Sequence, residues 1–454
     1  MITRRAASLG LSAAFASLAL GGCGTSSGAA LSRRAPWPAL EPDPAGVLDL
    51  PQGFTYRVIS SFGETMADGW MVPDRGDGMG AFDLGGGRVA LVRNHELGPG
   101  HSDTGPFARK PSGAIPTYDR RRSDAAPLPG GTTTIVYDYR RGVVQEQYLS
   151  LVGTIRNCAG GVTPWGSWLT CEEDMTRAGD SVGADHGWVF EVPAAGRGLV
   201  QPVALTALGR FNHEAAVVDP RTGIVYLTED RPDGLLYRLL PNARGRLVAG
   251  GRLQALAFVD PARRDTRNWT GSDVPQRAAL PVRWIDLDGT HSPADDLRQR
   301  GAAAGAVPFA RGEGIHMGPR GEIYLACTSG GAARVGQIFR YAPSHVEGHD
   351  ERASPPTLEL FVESSGTDML HYADNLTVAP SGHLVVCEDQ PGDSVDNRLK
   401  LVNPSGQISD FARLRLPTEL AGACFSPDAR TLFVNIYSPT KTVAITGPWP
   451  WLRG

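Results

Sequence analysis

Strong metal ligands recur at a fixed distance before turn prolines in this sequence. Short runs of β-branched, aromatic or leucine residues follow the prolines Pro164, Pro220, Pro319, Pro380 and Pro427. The residues six positions before these prolines are Cys158, Glu214, Glu313, Asp374 and Ala421. Carboxylates and a thiolate bind metal ions, and four such groups in one register are not expected by chance. The spacing predicts a metal site to which several repeats each contribute one side chain.

A second set of acids lies at the far end of the same runs. Eight to ten residues beyond the prolines stand Glu172 and Glu173, Glu229 and Asp230, Thr328, Glu388 and Asp389, and Asn435. Glu96 occupies the matching end of a first repeat that lacks the proline. Carboxylates crowded within a few ångströms repel one another and take up protons unless cations neutralise them. The alternative is that these acids lie in solvated loops, as most Asp and Glu do.

Distant repeats can share one site only if the fold brings them together. Six of the apolar runs have a common form and begin at Gly87, Trp165, Gly223, Gly321, Gly382 and Arg430. Such runs behind Gly or Pro turns predict strands. Their spacing of about 48 to 98 residues suits four-stranded blades with insertions. We expect an all-β fold, a six-bladed β-propeller with loop insertions, whose innermost strands converge on the axis.

The composition limits the possible fold and partners. Glycine and proline account for 56 and 35 of the 454 residues, which argues against an all-helical protein. The formal net charge is −4, and the longest Lys/Arg run is the three residues 120–122. This balance argues against a nucleic-acid-binding surface as the main function. We expect no nucleic-acid partner.

The N-terminus has the pattern of an export signal. Arg4 and Arg5 precede an apolar run from Ala6 to Leu20, and small residues lead to Cys23. The run is shorter than the roughly 20 residues that cross a bilayer core as a helix. Residues 3–5 resemble a twin-arginine signal, and residues 20–23 resemble a lipobox, in which Cys23 is acylated.

The sequence therefore divides into a signal (1–23), a flexible tether (24–49) and a propeller domain (50–454). We expect export to the cell envelope or periplasm by the twin-arginine pathway. Membrane contact is expected only through a lipid anchor at Cys23, and the protein is expected to be a monomer. The alternative is a soluble periplasmic protein that is cleaved nearby.

The remaining cysteines are odd in number for an oxidising compartment. They are Cys158, Cys171, Cys327, Cys387 and Cys424. At least one is expected to be free or bound to a ligand. The absence of a C-x-x-C pair excludes a zinc ribbon or a thioredoxin-like site.

The longest distinctive stretch of the sequence is residues 157–173, NCAGGVTPWGSWLTCEE. Together with residues 93–96, 209–216, 223–230 and 422–435, it resembles the PhoX family of bacterial alkaline phosphatases. The resemblance extends from about residue 50 to the C-terminus. It implies a six-bladed propeller, twin-arginine export, and hydrolysis of small-molecule phosphate monoesters by a cluster of ferric iron and calcium ions.

The resemblance also implies roles for individual residues. Cys158 corresponds to the thiolate ligand of Fe(III), and Glu214 belongs to the carboxylates of the iron site. The expected oxygen donors for the remaining ions, Ca²⁺, are Glu96, Glu172, Glu173, Glu313, Asp374 and Glu388. Arg311 is expected to hold the phosphate through its guanidinium fork, with an ordinary surface arginine as the alternative. Asn94 is assigned with Arg311 to the catalytic set.

Two neighbouring histidines and two rival functions complete the expectations. His95 and His213 each precede a glutamate and are expected to orient the carboxylates, unless they are simply core histidines. Residues 374–375 and 382–389 also look like the strand entrances of calcium-dependent lactonases built on propellers. A non-catalytic calcium-binding propeller of the envelope is the non-enzyme alternative. The number of acids, together with Cys158, favours the multi-metal phosphoesterase.

Overall fold

The computed structural model describes residues 37–392 and 394–449. The predicted signal, the lipid-anchor residue Cys23 and the first part of the predicted tether lie outside these residues. From residue 37 on, the tether segment contains two short strands. No helix in the described residues is both long enough and apolar enough to cross a membrane.

Nearly all regular structure in the described residues is β-strand. The first thirteen strands are β1 (Leu40–Glu41), β2 (Leu48–Pro51), β3 (Thr55–Ser61), β4 (Gly76–Gly85), β5 (Arg88–His95), β6 (Gly130–Asp138), β7 (Val143–Thr154), β8 (Asn157–Val162), β9 (Ser167–Glu172), β10 (Val189–Pro193), β11 (His213–Val218), β12 (Val225–Glu229) and β13 (Tyr237–Pro241). The other thirteen are β14 (Gly251–Phe258), β15 (Ala279–Asp286), β16 (Gly312–Met317), β17 (Ile323–Cys327), β18 (Gln337–Ala342), β19 (Thr357–Glu363), β20 (Ala373–Val378), β21 (Leu384–Glu388), β22 (Arg398–Val402), β23 (Ile408–Leu414), β24 (Leu420–Phe425), β25 (Thr431–Ile436) and β26 (Lys441–Thr446). The same residues form one α-helix, α1 (Leu297–Ala303), and two 3₁₀ turns, Thr206–Leu208 and Leu247–Ala249.

The described strands pair into five sheets. Their orders are β4-β5-β6-β7, β10-β9-β8, β11-β12-β13-β14-β15-β19-β18-β17-β16, β1-β2-β23-β22-β21-β20 and β24-β25-β26-β3. The fold is all-β and propeller-like, as expected, but it does not consist of six separate four-stranded sheets. The difference arises at β15, which pairs with both β14 and β19 and so merges two groups of strands into one nine-stranded sheet.

Six strands form a closed ring at the centre of the fold. β4, β8, β11, β16, β20 and β24 each contact the next, and β24 contacts β4 again. Glycines permit this close approach. A Cβ on Gly161 would lie 2.0 Å from the carbonyl oxygen of Ala216, and one on Gly314 would lie 2.6 Å from the nitrogen of Leu376. Larger residues there would push the inner strands apart.

Both ends of the described chain contribute to closing the ring of sheets. β3 pairs with β26, so an N-terminal strand completes the sheet of the last three strands. β2 pairs with β23 through Leu48 and Asp49, which places the end of the predicted tether segment in a sheet. The core lies between neighbouring sheets: Val89 and Leu91 of β5, for example, pack with Phe433 of β25. Alternate residues of each strand face this core, as the period of two requires.

Candidate metal centre

Each of the six inner strands contains a β-bulge near its start, which turns one side chain towards the axis of the ring. Each has a shift in pairing register near its start, between Gly76 and Met79, Asn157 and Gly160, His213 and Ala216, Gly312 and Ile315, Ala373 and Leu376, and Ala421 and Cys424. Such a bulge opposes two residues to one and re-aims a side chain. The first residues within these bulges are Asp77, Cys158, Glu214, Glu313, Asp374 and, in the sixth strand, Gly422 directly after Ala421.

A second repeated position lies where the next strand of each sheet ends. Its residues are Glu96, Glu173, Asp230, Thr328, Asp389 and Tyr437. Their backbone N–H groups donate to the carbonyls of Arg75, Arg156, Asn212, Arg311, Tyr372 and Glu419 at distances of 2.9, 2.9, 3.2, 3.0, 3.0 and 3.1 Å, respectively. The same backbone contact therefore fixes this position in every sheet of the ring.

The two positions bring ligand-type side chains together. Three groups have ligand atoms within 4.8 Å of one another: Glu96, Cys158 and Glu173; Glu214, Glu313 and Asp374; and Asp374, Asp389 and Glu419. Asp77 joins them, because the Cys158 thiol donates to its Oδ2 at 3.5 Å. We call these nine residues, Asp77, Glu96, Cys158, Glu173, Glu214, Glu313, Asp374, Asp389 and Glu419, the axial acid cluster.

Several oxygens of the cluster have no partner within the protein. Both carboxylate oxygens of Glu214, which is 1% exposed, are buried without a hydrogen bond, as is Oδ1 of Asp77. Burial and neighbouring carboxylates raise the pKa of Asp77, Glu214 and Glu313 well above the ordinary value. Such an arrangement is unfavourable unless positive charge enters it.

Burial and like charge act on two further members of the cluster. Burial, together with the like charge of Asp389, raises the pKa of Asp374 to about 7. Burial raises the pKa of Glu173 to about 8, and Asp230 and Glu96 add to the effect while Arg156 opposes it. An oxygen-rich set with unpaired buried carboxylates fits hard cations, and the single thiolate adds a ligand suited to a transition metal. The residues present therefore fit a metal cluster.

The structure brings six of the eight predicted metal ligands together and separates two. Glu96, Cys158, Glu173, Glu214, Glu313 and Asp374 belong to the cluster. Glu172 points away from it: its carboxylate accepts hydrogen bonds from the N–H groups of Ile155 and Gly187, and Nδ1 of His186 lies 2.6 Å away. Glu388 accepts from the N–H of His371 and lies 3.6 Å from Nζ of Lys400.

The physical reason is the alternation of side chains along a strand. Glu172 and Glu388 are the last residues of β9 and β21, whereas Glu173 and Asp389 follow them and point to the other side. In each pair only the second acid lies in the cluster.

Asn94 holds the strand of Cys158 rather than facing the cluster. Its Nδ2 donates to the carbonyls of Cys158 and Ala159 at 3.0 and 2.8 Å. Its Oδ1 accepts from Nε1 of Trp168 and Oγ1 of Thr170. These four bonds use all the hydrogen-bonding capacity of the amide, so Asn94 is placed to position the thiol.

The two histidines orient no cluster carboxylate. His95 contacts the carbonyl of Asp74 and the hydroxyl of Thr133, and His213 contacts the carbonyl of Gly209. Both are buried. The core-histidine alternative describes their contacts, because each ring is held by backbone or hydroxyl groups.

Arg311 lies at the edge of the cluster. Its Nε and NH2 donate to the two carboxylate oxygens of Asp230 at 2.7 and 2.8 Å, and NH2 lies 3.1 Å from Glu313. The side chain remains 35% exposed. This guanidinium is thus held by Asp230 and by Glu313 of the cluster, and it is accessible from solvent.

Four acids at the site are absent from the predicted ligand set. Asp77 was missed because its strand lacks the turn proline that serves as the ruler elsewhere. Asp230 and Asp389 occupy the second repeated position in the sequence, but their spacing cannot distinguish them from the preceding acid. Glu419 lies neither six residues before a turn proline nor eight to ten residues after one, and nothing in its local sequence indicates a ligand.

A cavity of about 450 Å³ continues along the ring beyond the cluster. It is lined by the residues that follow the bulge positions, including Gly78, Ala159, Ala215, Gly314 and Asn375. No charged residue is among its lining residues in the described chain.

Comparisons with known proteins agree with the sequence motifs. The sequence profile of the family described as alkaline phosphatase PhoX matches residues 35–145 and 139–440. Among solved structures, the chain is similar to Pseudomonas fluorescens PhoX in complex with vanadate, a transition-state analogue. The TM-score is 0.65 and the identity 21%, over 88% of this chain and 96% of that one. This likeness supports the propeller-like fold.

A gluconolactonase from Xanthomonas campestris, XC5397, is similar over 91% of this chain and 98% of its own, with 14% identity and a TM-score of 0.43. No match was found among curated proteins.

Proposed function

The chain belongs to the alkaline phosphatase PhoX family and is a phosphoester hydrolase, and we propose that it hydrolyses small-molecule phosphate monoesters at the axial acid cluster. The observation that carries this proposal is the cluster itself, in which Glu214 is buried with neither carboxylate oxygen hydrogen-bonded. Buried charges that crowd in this way need cations to neutralise them. Cations in turn stabilise the charge of a phosphate ester.

The donor types suggest where two kinds of ion would bind. Cys158 would hold ferric iron, with Asp77 and Glu214 as the neighbouring carboxylates, because a thiolate suits a transition metal better than calcium. Asp374, Asp389 and Glu419 offer only oxygens and would hold calcium, which accepts six to eight oxygen ligands in irregular geometry. Glu172 and Glu388 are not in the proposed ligand set, since their side chains point elsewhere.

The remaining site residues bind and position. When bound, the metal ions supply Lewis-acid stabilisation of the charge that develops on the phosphate oxygens. Arg311 binds the phosphate through NH1, and Asp230 orients the guanidinium by accepting from Nε and NH2. Asn94 fixes the strand that carries Cys158.

The number of blades and the cellular location are also proposals. The ring of six inner strands supports six blades, with the nine-stranded sheet as two blades joined at their outer edges through β15. The N-terminal sequence supports export by the twin-arginine pathway and a lipid anchor at Cys23. We propose a monomer.

Elemental analysis beside a hydrolysis assay tests the function. The tag-free chain without its signal is analysed by mass spectrometry for iron and calcium, and assayed with p-nitrophenyl phosphate with and without added calcium. We expect both metals and calcium-dependent release of p-nitrophenol. Glucono-δ-lactone is the matched substrate for the lactonase alternative. Lactone hydrolysis without phosphatase activity, or calcium without either activity, would overturn the proposal.

A further inference from the structure

Arginines recur at one position of the inner ring. Three of the side chains at the bulges of the inner strands, Asp77, Cys158 and Glu313, have an arginine two residues before them. These arginines are Arg75, Arg156 and Arg311, with φ of 54°, 47° and 57°. Tyr372, two residues before Asp374, has φ of 58°. Non-glycine residues rarely adopt this left-handed conformation because it is strained.

The backbone strain has a local explanation, but the choice of arginine does not. The carbonyl of each left-handed residue accepts the N–H of the second-position residue, for example Glu173 on Arg156 at 2.9 Å. The strained turn therefore places ligands. Glycine or asparagine would adopt it at lower cost, so the arginine side chain itself calls for a function.

Arg156 repeats the geometry of Arg311. Its NH2 lies 2.6 Å from Glu173 of its own sheet and 2.8 Å from Glu96 of the neighbouring sheet, and 43% of the side chain is exposed. Arg311 likewise bridges Glu313 of its own sheet and Asp230 of the preceding group of strands. Both guanidinium groups thus lie at the solvent-facing edge of the cluster.

Arg75 differs from these two arginines. Its NH1 donates to the hydroxyl of Tyr437 at 2.9 Å, and its guanidinium lies 5.6 Å from the centre of that ring. No carboxylate salt bridge involves Arg75 among the described residues. It is therefore occupied by an aromatic partner rather than by a cluster acid.

Arg156 and Arg311 are linked through two acids and the amide between them. Nδ2 of Asn212 donates to Oε1 of Glu173, which pairs with Arg156, and to the backbone carbonyl of Asp230, whose carboxylate pairs with Arg311. A continuous set of polar contacts therefore connects the two guanidinium groups along the edge of the cluster.

We propose that Arg156 is a second phosphate-binding arginine, which grips the phosphoryl group together with Arg311. The inference rests on the proposed function. Without cations, each guanidinium is a counterion of the cluster carboxylates. Cations bound to Glu96, Glu173 and Glu313 would weaken those ion pairs, and the exposed forks would then face an incoming dianion. A guanidinium presents two parallel N–H donors that match two phosphate oxygens.

The test compares Arg156→Gln, Arg156→Lys and Arg311→Gln with wild type and with Arg352→Gln, whose side chain is 91% exposed. Calorimetry measures the Kd of inorganic phosphate for the protein as purified, and elemental analysis measures its metal content. We expect Arg156→Gln to weaken phosphate binding by about 10- to 100-fold with unchanged metal content. Arg156→Lys, which keeps the charge but not the fork, should lie between.

The outcomes separate this inference from the function on which it rests. A wild-type phosphate Kd in Arg156→Gln or Arg156→Lys with full metal content overturns the role of Arg156 and leaves the phosphatase proposal intact. Loss of metal from both variants also overturns it, because Arg156 would then only hold the ligands Glu96 and Glu173. Failure of the wild-type protein to hydrolyse p-nitrophenyl phosphate refutes the proposed function instead.

Discussion

Replacing Glu214 with glutamine should stabilise the metal-free protein and destabilise the metal-bound one. In the absence of a cation, the buried carboxylate has no hydrogen-bond partner. Burial and the charges of Glu173 and Asp374 raise its pKa in the folded protein. At a pH above the pKa of the unfolded chain, the group must therefore either keep an unfavourable charge on folding or take up a proton. Glutamine avoids both costs, and its amide can donate to Glu313 and Asp374, whose oxygens lie within 4.8 Å.

The expected sizes follow from these contacts. An unsatisfied buried group costs about 1 to 3 kcal/mol, so we expect a gain of about 2 kcal/mol at pH 8 in the presence of chelator. In a chain of this length that corresponds to a rise of about 2 to 4 °C in Tm. With cation at about 100 times its Kd, wild type gains about 2.7 kcal/mol from binding, which the variant should lose.

Scanning calorimetry of wild type and of Glu214→Gln, in chelator and in calcium, measures the effect. Glu41→Gln, a change of the same chemistry at an exposed position, serves as the control and should shift neither curve. A decrease in Tm of Glu214→Gln in chelator as large as that in calcium would refute the reasoning, since the carboxylate would then have an internal partner that the geometry does not show.

Three further predictions test the site and the fold. Cys158→Ser should remove iron and its thiolate-to-iron visible absorption while the protein stays folded; retained iron and colour would count against Cys158 as a ligand. Asp389→Asn should lower the calcium content, whereas Glu388→Gln should not, since only Asp389 lies in the cluster; equal losses would contradict the assignment. Burial alone would lower the pKa of His186, but its two carboxylate partners, Glu172 and Asp119, raise it from the ordinary value of 6.5 to about 9. The resulting stability of about 3 kcal/mol should be full below about pH 6.5 and lost as pH rises through 9. Urea unfolding at pH 6 and pH 10 should show that loss in wild type but not in His186→Gln.

The sequence located four members of the axial acid cluster because the turn prolines follow them at a constant spacing. Cys158, Glu214, Glu313 and Asp374 lie six residues before a proline that ends the inner strand. Each of these strands contains a bulge at the same place, so equal spacing in the sequence becomes an equivalent position at the ring. Asp77 occupies the same position without the proline and was therefore not found.

Spacing alone did not resolve neighbouring residues. Glu172 and Glu173, or Glu388 and Asp389, differ by one position in the sequence, yet their side chains point to opposite sides of the strand end. The function of Asn94 is likewise set by its contacts: a conspicuous amide beside a predicted ligand turns out to bind the backbone of the Cys158 strand.

The sequence by itself determined the all-β class, the repeated strands, the family resemblance and the register of four residues of the axial acid cluster. These features depend on local patterns of apolar residues, turns and spacing, which involve residues that are close together in the sequence. Only the tertiary structure decided which acids meet, how β15 joins two groups of strands, and that Arg156 stands in the same geometry as Arg311. Those outcomes depend on the direction of each side chain and on contacts between distant strands, which are fixed when the ring closes.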